Sequence, residues 1–346
     1  MKNIKIAMLG YGVAGKAFAR ILQSKHDEIQ ANTNCDLKVV AIATGSHGSL
    51  VNQTGIDLAE ATKQLEELGS FDKSKDEYTN LNALEIANTV DYDILLELSP
   101  LNIETGLPAT DHIRSALNRG KHVVSANKGP LAWHYGELKN LAIKNNVKFY
   151  FETTVMAGTP VFNMADNCLQ YCQISKVEGI FNATTNYILK EMAKGIPYDE
   201  IIQKGREEGF MEADVSMDTK GWDATAKLTV LLNVLMDANI TPMDVDRTGI
   251  EDVTIEDINN AAENGNVIKL ICSGTRDSSG KVIAKVAPCQ VSNNDVFADK
   301  DLVAVLSVYT DLMGKLTTLQ YGLETTQTGY GVFADVIRIV DQIKAI

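Results

Sequence analysis

The apolar positions of this chain fall into two regimes. In the first, short apolar runs alternate with amphipathic stretches. Ile4 to Leu9 (IKIAML), Leu37 to Ala43 (LKVVAIA), Tyr92 to Leu98 (YDILLEL) and Lys121 to Ala126 (KHVVSA) read as strands buried on both faces. Lys16 to Gln23, Asp111 to Asn118 and His134 to Lys144 read as helices, and Val147 to Val155 as a further strand. In the second regime the strands are longer and alternate, at Ile174 to Phe181, Val267 to Thr275 and Lys281 to Val291. Thr184-Thr185-Asn186 forms a capping cluster before a helix over Tyr187 to Lys194. Another helix starts at Trp222 (WDATAKLTVLLNVLMDA), rich in good helix formers. The last helix, Gly331 to Ile346, is apolar on one face and is expected to pack back on the first sheet.

The link between the first strand and its helix gives this pattern a meaning. It reads Gly10-Tyr11-Gly12-Val13-Ala14-Gly15. Such glycines serve a tight turn, close approach of backbone to a pyrophosphate, and close helix–strand packing, while the helix N-terminus offers amide donors to the phosphates. The expected fold is therefore α/β. An N-terminal Rossmann-type parallel sheet spans residues 1–130 and is completed by a C-terminal helix within 320–346; a second, mixed α+β domain for substrate binding spans 131–319.

Composition narrows the classes. A chain of 346 residues suits two domains, and 45% hydrophobic with 22% charged residues is a globular balance. The net charge of −13 and the lack of any long basic patch argue against nucleic-acid binding. No run of apolar residues is long enough to span a membrane, and MKNIKIAML lacks the form of a signal peptide. Five cysteines without a CxxC fit a reduced, cytoplasmic protein rather than a disulfide scaffold or a metal site.

Candidate chemistry sits at strand ends and in one acidic run. After the second strand the chain reads Thr44-Gly45-Ser46-His47-Gly48, with no carboxylate to repel a 2′-phosphate, which leans to NADP over NAD. Ser99 and Lys128 follow the third and fourth strands, where ligands bind in open parallel sheets. Glu152, followed by Met156-Ala157-Gly158-Thr159-Pro160, reads either as a turn able to coordinate a hard cation or as a helix start with Thr159 as cap and Pro160 at the first position. Gly209 to Leu228 gathers Glu212, Asp214, Asp218 and Asp223 with Lys227, and Asp223 and Lys227 lie one helical turn apart. That run suits an ammonium-binding site with one cationic acid, or simply a salt-bridged helix start.

With these pieces in order, the chain resembles homoserine dehydrogenase over nearly its whole length. The matching stretches are GYGVAGKAF (10–18), LELSPLNIETGLPATDHIRSALNRGKHVVSANKGPLA (96–132), FETTVMAGTPVF (151–162), GIFNATTNYIL (179–189) and GFMEADVSMDTKGWDATAKL (209–228). The resemblance implies NAD(P)H-dependent reduction of L-aspartate 4-semialdehyde to L-homoserine, and the reverse, on the route to threonine and methionine. It implies cofactor contacts at Gly10, Gly12, Val13, Ala14, Gly15, Thr44, Ser99, Lys128 and Ala183, and acid–base lysines at Lys227 and Lys128 with Asp223 beside the former. It implies substrate contacts at Glu212, Asp218 and Thr184. Glu152, with the backbone carbonyls of Val155, Ala157 and Thr159, stands at the family's monovalent cation site, usually sodium. A homodimer formed through the 131–319 domain, with tetramers possible, is implied, and no C-terminal regulatory domain is expected. Four places depart from the family pattern: Ser99 replaces the usual Thr, Ala183 the Gly of NGTTN, Val215 a Pro, and Leu323-Glu324-Thr325-Thr326-Gln327-Thr328 a Gly-rich approach to the last helix. Two other readings stay open: a dehydrogenase of another small amino or hydroxy acid, and a non-catalytic NAD(P)-binding regulator.

Overall fold

The computed structural model describes residues 1–207, 211, 214–322 and 324–344. The chain divides into two compact units, Met1–Pro160 with Glu324–Ile346, and Val161–Leu323.

The first unit is built on a seven-stranded sheet among the described residues. Its strands are β1 (Lys2–Leu9), β2 (Cys35–Ala43), β3 (Ser49–Val51), β4 (Tyr78–Thr79), β5 (Ile94–Glu97), β6 (His122–Ser125) and β7 (Phe149–Tyr150), in the order β4-β3-β2-β1-β5-β6-β7. The pairings β2–β1–β5–β6–β7 are parallel; β3 and β4 add an antiparallel edge. The central positions of the parallel strands are apolar because helices cover both faces: Ile6, Met8 and Ile94 pack into one apolar cluster and Ala7, Leu9 and Leu95 into the other. Strand order reverses direction at β1, with β2 on one side and β5 on the other, so the carboxyl ends of β1 and β5 flank the crevice where such sheets bind ligands. The helix Thr325–Lys344 packs beside the helix Val13–Ser24. A Cβ at Gly329 would sit 2.6 Å from the Ala17 Cβ, so only glycine permits that approach.

The boundary falls later than residue 130. The helix beginning at Lys128 runs to Lys144, and β7 pairs in parallel with β6, so both belong to the first sheet. The expected strand Val147–Val155 is cut to Phe149–Tyr150 and followed by a helical turn, Thr153–Met156. The reason is a residue distant in sequence: the Glu152 amide donates to the Asp335 carboxylate (2.8 Å) instead of to a neighbouring strand. Thr159 caps nothing. The next helix starts at Phe162, with Val161 at its N-cap and no side-chain cap.

The second unit carries a six-stranded sheet of β8 (Ile174–Ile180), β9 (Asp246–Arg247), β10 (Asn266–Arg276), β11 (Val282–Ser292), β12 (Leu302–Thr310) and β13 (Gly314–Tyr321), ordered β13-β12-β8-β10-β11-β9. It is antiparallel except for the short β11–β9 pairing. The helices Ala183–Met192 and Trp222–Met236 lie against it. At Gly274 an added Cβ would fall 2.3 Å from a Leu232 methyl, so the missing side chain lets the second helix settle onto β10. The capping cluster works differently from the sequence expectation. The first helix begins at Ala183, and its cap is Asn182, whose Oδ1 accepts from the Thr185 amide at 2.8 Å.

Candidate active site

In the first unit the glycine turn is shaped around an absent group. Gly10 has φ +103°, and a Cβ there would lie 2.2 Å from the Leu98 carbonyl oxygen and 2.8 Å from the Ser99 nitrogen. Gly12 is the opposite case: a Cβ there would meet nothing of the protein. Gly12 is also the N-cap of the helix Val13–Ser24 and gives no side-chain cap, and no acid stands in the first turn. Exposed Gly12 and Val13, half-buried Ala14 and buried Gly15 thus form a turn with helix amide donors and open space before them. These residues fit the pyrophosphate of a dinucleotide. Thr44, at the end of β2, spends its hydroxyl within its own loop: Oγ1 donates to the Gly48 carbonyl (2.7 Å) and accepts the His47 amide (2.9 Å).

Ser99 lies directly beside this turn, and a buried polar chain holds it. Glu97 Oε1 accepts both the Ser99 amide (2.9 Å) and the Ser99 hydroxyl. The Asn127 side-chain amide donates to the Ser99 carbonyl at 3.1 Å, and Asn127 Oδ1 accepts from the Gly129 amide at 3.0 Å. Asn127 is the N-cap of the helix whose first residue is Lys128, so Ser99 and Lys128 are tied together at the ends of β5 and β6.

The turn after Glu152 has the makings of a cation site. The Glu152 carboxylate is buried, and Ala157 takes a left-handed φ of +47° before Gly158 and Thr159. A second buried carboxylate, Asp335, accepts the Glu152 amide through one oxygen, while its other oxygen lies 3.6 Å from Arg338 Nη1. Burial pushes Asp335 up to about 7, with the Glu152 charge adding to the effect. The Glu152 carboxylate and the backbone carbonyls of this turn are the hard oxygen ligands that suit a monovalent cation.

In the second unit four of the sequence candidates converge. Asn182 Nδ2 donates to Asp218 Oδ1 (2.5 Å) and to Asp223 Oδ2 (2.9 Å). Lys227 pairs with the same Asp223 oxygen at 3.0 Å and donates to the Phe181 carbonyl at 2.7 Å. Thr184, on the first turn of the Asn182-capped helix, also hydrogen-bonds Asp218. Burial raises the Asp218 carboxyl above the ordinary aspartate range, with the Asp223 charge adding to it. The Lys227 and Asp223 side chains are only 18% and 16% exposed, so solvent screens this pair little. The cluster carries two carboxylates against one ammonium, an excess of negative charge suited to an amino group. Among the described residues these two contacts take two of the three N–H groups of Lys227, which leaves one for a reacting oxygen. The salt-bridged helix start is therefore present, but its lysine is turned inward and also donates to a backbone carbonyl.

Glu212 lies outside the described residues. Asn182, the hub of the cluster, was not among the sequence candidates. Its position just before a helix, at the head of the ATTN segment, was the available signal. Asp335 was missed because nothing near it in sequence marks it as more than a polar position on a helix. Among the described residues no group of three or more His, Cys, Asp or Glu could hold a metal, and no helix is long and apolar enough to cross a membrane. Cys272 is fully buried and burial drives its thiol far up, so it is no nucleophile.

The chain matches two family models, one described as homoserine dehydrogenase over residues 160–337 and one as homoserine dehydrogenase, NAD binding domain, over 10–152. It is 33% identical to the NAD(+)-dependent homoserine dehydrogenase of Pseudomonas canavaninivorans, covering 98% of this chain and 97% of that one. It is 34% identical to the homoserine dehydrogenase of Methanocaldococcus jannaschii, covering 98% and 99%. A solved hyperthermophilic archaeal homoserine dehydrogenase in complex with NADPH superposes with a TM-score of 0.82, at 28% identity and over 98% of both chains.

Proposed function

The chain belongs to the homoserine dehydrogenase family, and from that premise we propose how its residues divide the work. The enzyme interconverts L-aspartate 4-semialdehyde and L-homoserine with NAD(P). The nicotinamide cofactor supplies the hydride when bound. Gly10, Gly12, Val13, Ala14 and Gly15 hold its pyrophosphate, Ser99 and Ala183 meet the nicotinamide half, and Thr44 lies at the adenosine end. The turn after β2 offers no carboxylate, which favours the 2′-phosphate of NADP over NAD.

Lys227 acts as the general acid. Its ammonium gives a proton to the oxygen that gains negative charge as the aldehyde is reduced, and takes it back in the oxidation. Asp223 and the Phe181 carbonyl aim that ammonium. Lys128 is the second lysine, positioning substrate. Asp218, Thr184 and Glu212 hold the substrate, with Glu212 taking its amino group. The observation that carries this reading is the inward Lys227, held at 3.0 Å by an aspartate that Asn182 fixes in turn.

Glu152, with the carbonyls of Val155, Ala157 and Thr159, binds a monovalent cation, sodium by preference. The protein works in the cytoplasm as a homodimer joined through its second unit, with a tetramer as the larger assembly. The direct test is the appearance of NADPH absorbance when the purified protein is given L-homoserine and NADP, compared with NAD. Turnover with NADP ahead of NAD is expected; absence of homoserine-dependent turnover in folded, cofactor-binding protein would overturn the roles assigned to the second unit.

A further inference from the structure

The carboxyl end of β5 holds more polar machinery than its neighbours need. Glu97 is fully buried, and His112, on the helix Ala109–Asn118, is nearly so. His112 Nδ1 meets Glu97 Oε2 at 2.7 Å, while the other Glu97 oxygen takes the amide and hydroxyl protons of Ser99. A buried polar pair of this kind is a poor stabiliser, since well-packed apolar side chains of similar volume do as well or better. The pair therefore needs another reason to be here.

Its placement gives one. A carboxylate only accepts hydrogen bonds, so every proton in this chain comes from Ser99 and His112. The imidazole is fixed with its proton on Nδ1. Ser99 has one hydroxyl proton, and Glu97 takes it. What Ser99 Oγ has left for any other partner is its lone pairs. Ser99 stands beside the glycine turn, with its nitrogen 2.8 Å from where a Gly10 Cβ would be, at the point where strand order reverses between β1 and β5. The second nucleotide half of a dinucleotide lies over that side of the crevice.

We propose that Glu97 and His112 are positioning residues for the cofactor: they lock the Ser99 hydroxyl as a hydrogen-bond acceptor, so that Ser99 takes a donor group of the nicotinamide nucleotide, a ribose hydroxyl. The same chain continues from the Ser99 carbonyl to Asn127 and the cap of the Lys128 helix. The cofactor contact and the second lysine are thus set by one buried network. This inference rests on the assignment of Ser99 to cofactor binding.

The test is a set of NADPH dissociation constants from fluorescence titration, which need no turnover. Ser99→Ala is expected to weaken binding about tenfold, the loss of one well-oriented hydrogen bond. Glu97→Gln and His112→Leu should each weaken it by about five- to tenfold in the native background, but by less than about twofold when Ser99 is already Ala. His112→Asn, whose side-chain amide sits where Nδ1 does, should keep near-native affinity, a rescue that separates hydrogen bonding from space filling. Melting curves on each variant confirm folding, and the Asn/Leu contrast at 112 decides the matter even if Glu97→Gln does not fold. Unchanged affinity in His112→Leu, equal affinities for the Asn and Leu variants, or losses that simply add to that of Ser99→Ala would overturn the proposal. No effect of Ser99→Ala itself would instead remove the Ser99 assignment on which it rests.

Discussion

Lys227 owes its orientation to two acceptors that nothing else in its own helix supplies. Asp223 lies one turn before it, and the Phe181 carbonyl comes from the segment just before the neighbouring helix. Replacing Lys227 by Ala leaves Asp223 and Asn182 in contact, so the fold should survive while the proton donor is lost. The expected result is a fall in kcat by about two to four orders of magnitude, with cofactor affinity close to native; near-native kcat would remove Lys227 from the acid–base role. Asp218 makes a different trade. Burial raises its carboxyl in the folded chain above its unfolded value of about 3.9. Between those two values the folded state binds more protons than the unfolded one, so this group's contribution to stability declines as pH rises from about 4 through the raised folded value. Asp218→Asn keeps an acceptor for Asn182 but has no charge to bury. It should melt higher than the native chain above that window and match it more closely below. The same variant should show a raised KM for homoserine. Parallel melting profiles across the pH range would mean that Asp218 is not strained in the folded state.

The element that sets the site is the helix Trp222–Met236, and its height above the sheet is set by one glycine. Gly274 lets Leu232 come down onto β10. Gly274→Val would force the helix outward, costing about 1–3 kcal/mol as overpacking does. Lys227 would move with it, so the variant should lose kcat as well as melting temperature; a stable, fully active Gly274→Val enzyme would show that this contact does not fix the site. Elements like this helix were legible in the sequence because long apolar periodicity and good helix formers agree over Trp222–Met236. The strand, glycine turn and helix at the N-terminus were legible for a similar reason, since hydrophobic pattern and turn chemistry point the same way. Where the reading failed, a distant residue overrode the local pattern. Val147–Val155 looks like a strand until Asp335, on the last helix, takes the Glu152 amide. The helix expected from His134 begins at Lys128 instead, inside the strand-end motif, because Asn127 caps it. Glu97 reads as an ordinary member of a buried strand, and only the fold brings it to His112, fifteen positions on.

At the scale of the whole molecule, the second sheet is covered along one face by helices and along only part of the other, where the Val296–Ala298 turn, with Phe297, shields Ile180, Ile271 and Val305. The even-numbered positions of β10, Gly274 among them, face the helix Trp222–Met236. Strand alternation then sends Ser273 and Thr275 to the other face, and cross-strand register adds Glu178, Ile283, Ser307, Thr317 and Leu319 to it. Ile283 is 59% and Leu319 37% exposed there, and Tyr321, two positions along from Leu319, is 52% exposed. Exposed apolar side chains on the uncovered part of that face, beside hydrogen-bonded polar pairs such as Ser307–Thr317, suit a surface that a second copy covers. Each chain carries a net charge of −13, so two copies repel and the apolar face must outweigh that repulsion. Light scattering on the eluting protein should therefore give about twice the 37.7 kDa chain mass, with the dimer tightening as salt screens the repulsion. Leu319→Lys puts a further cation on the shared face without touching the helix side that holds Lys227 and Asp223. The expected outcome is a folded monomer at micromolar concentration. A native chain that stays monomeric at low and high salt alike would mean that this face is complete as it stands, and a dimer that survives Leu319→Lys unweakened would place the interface elsewhere.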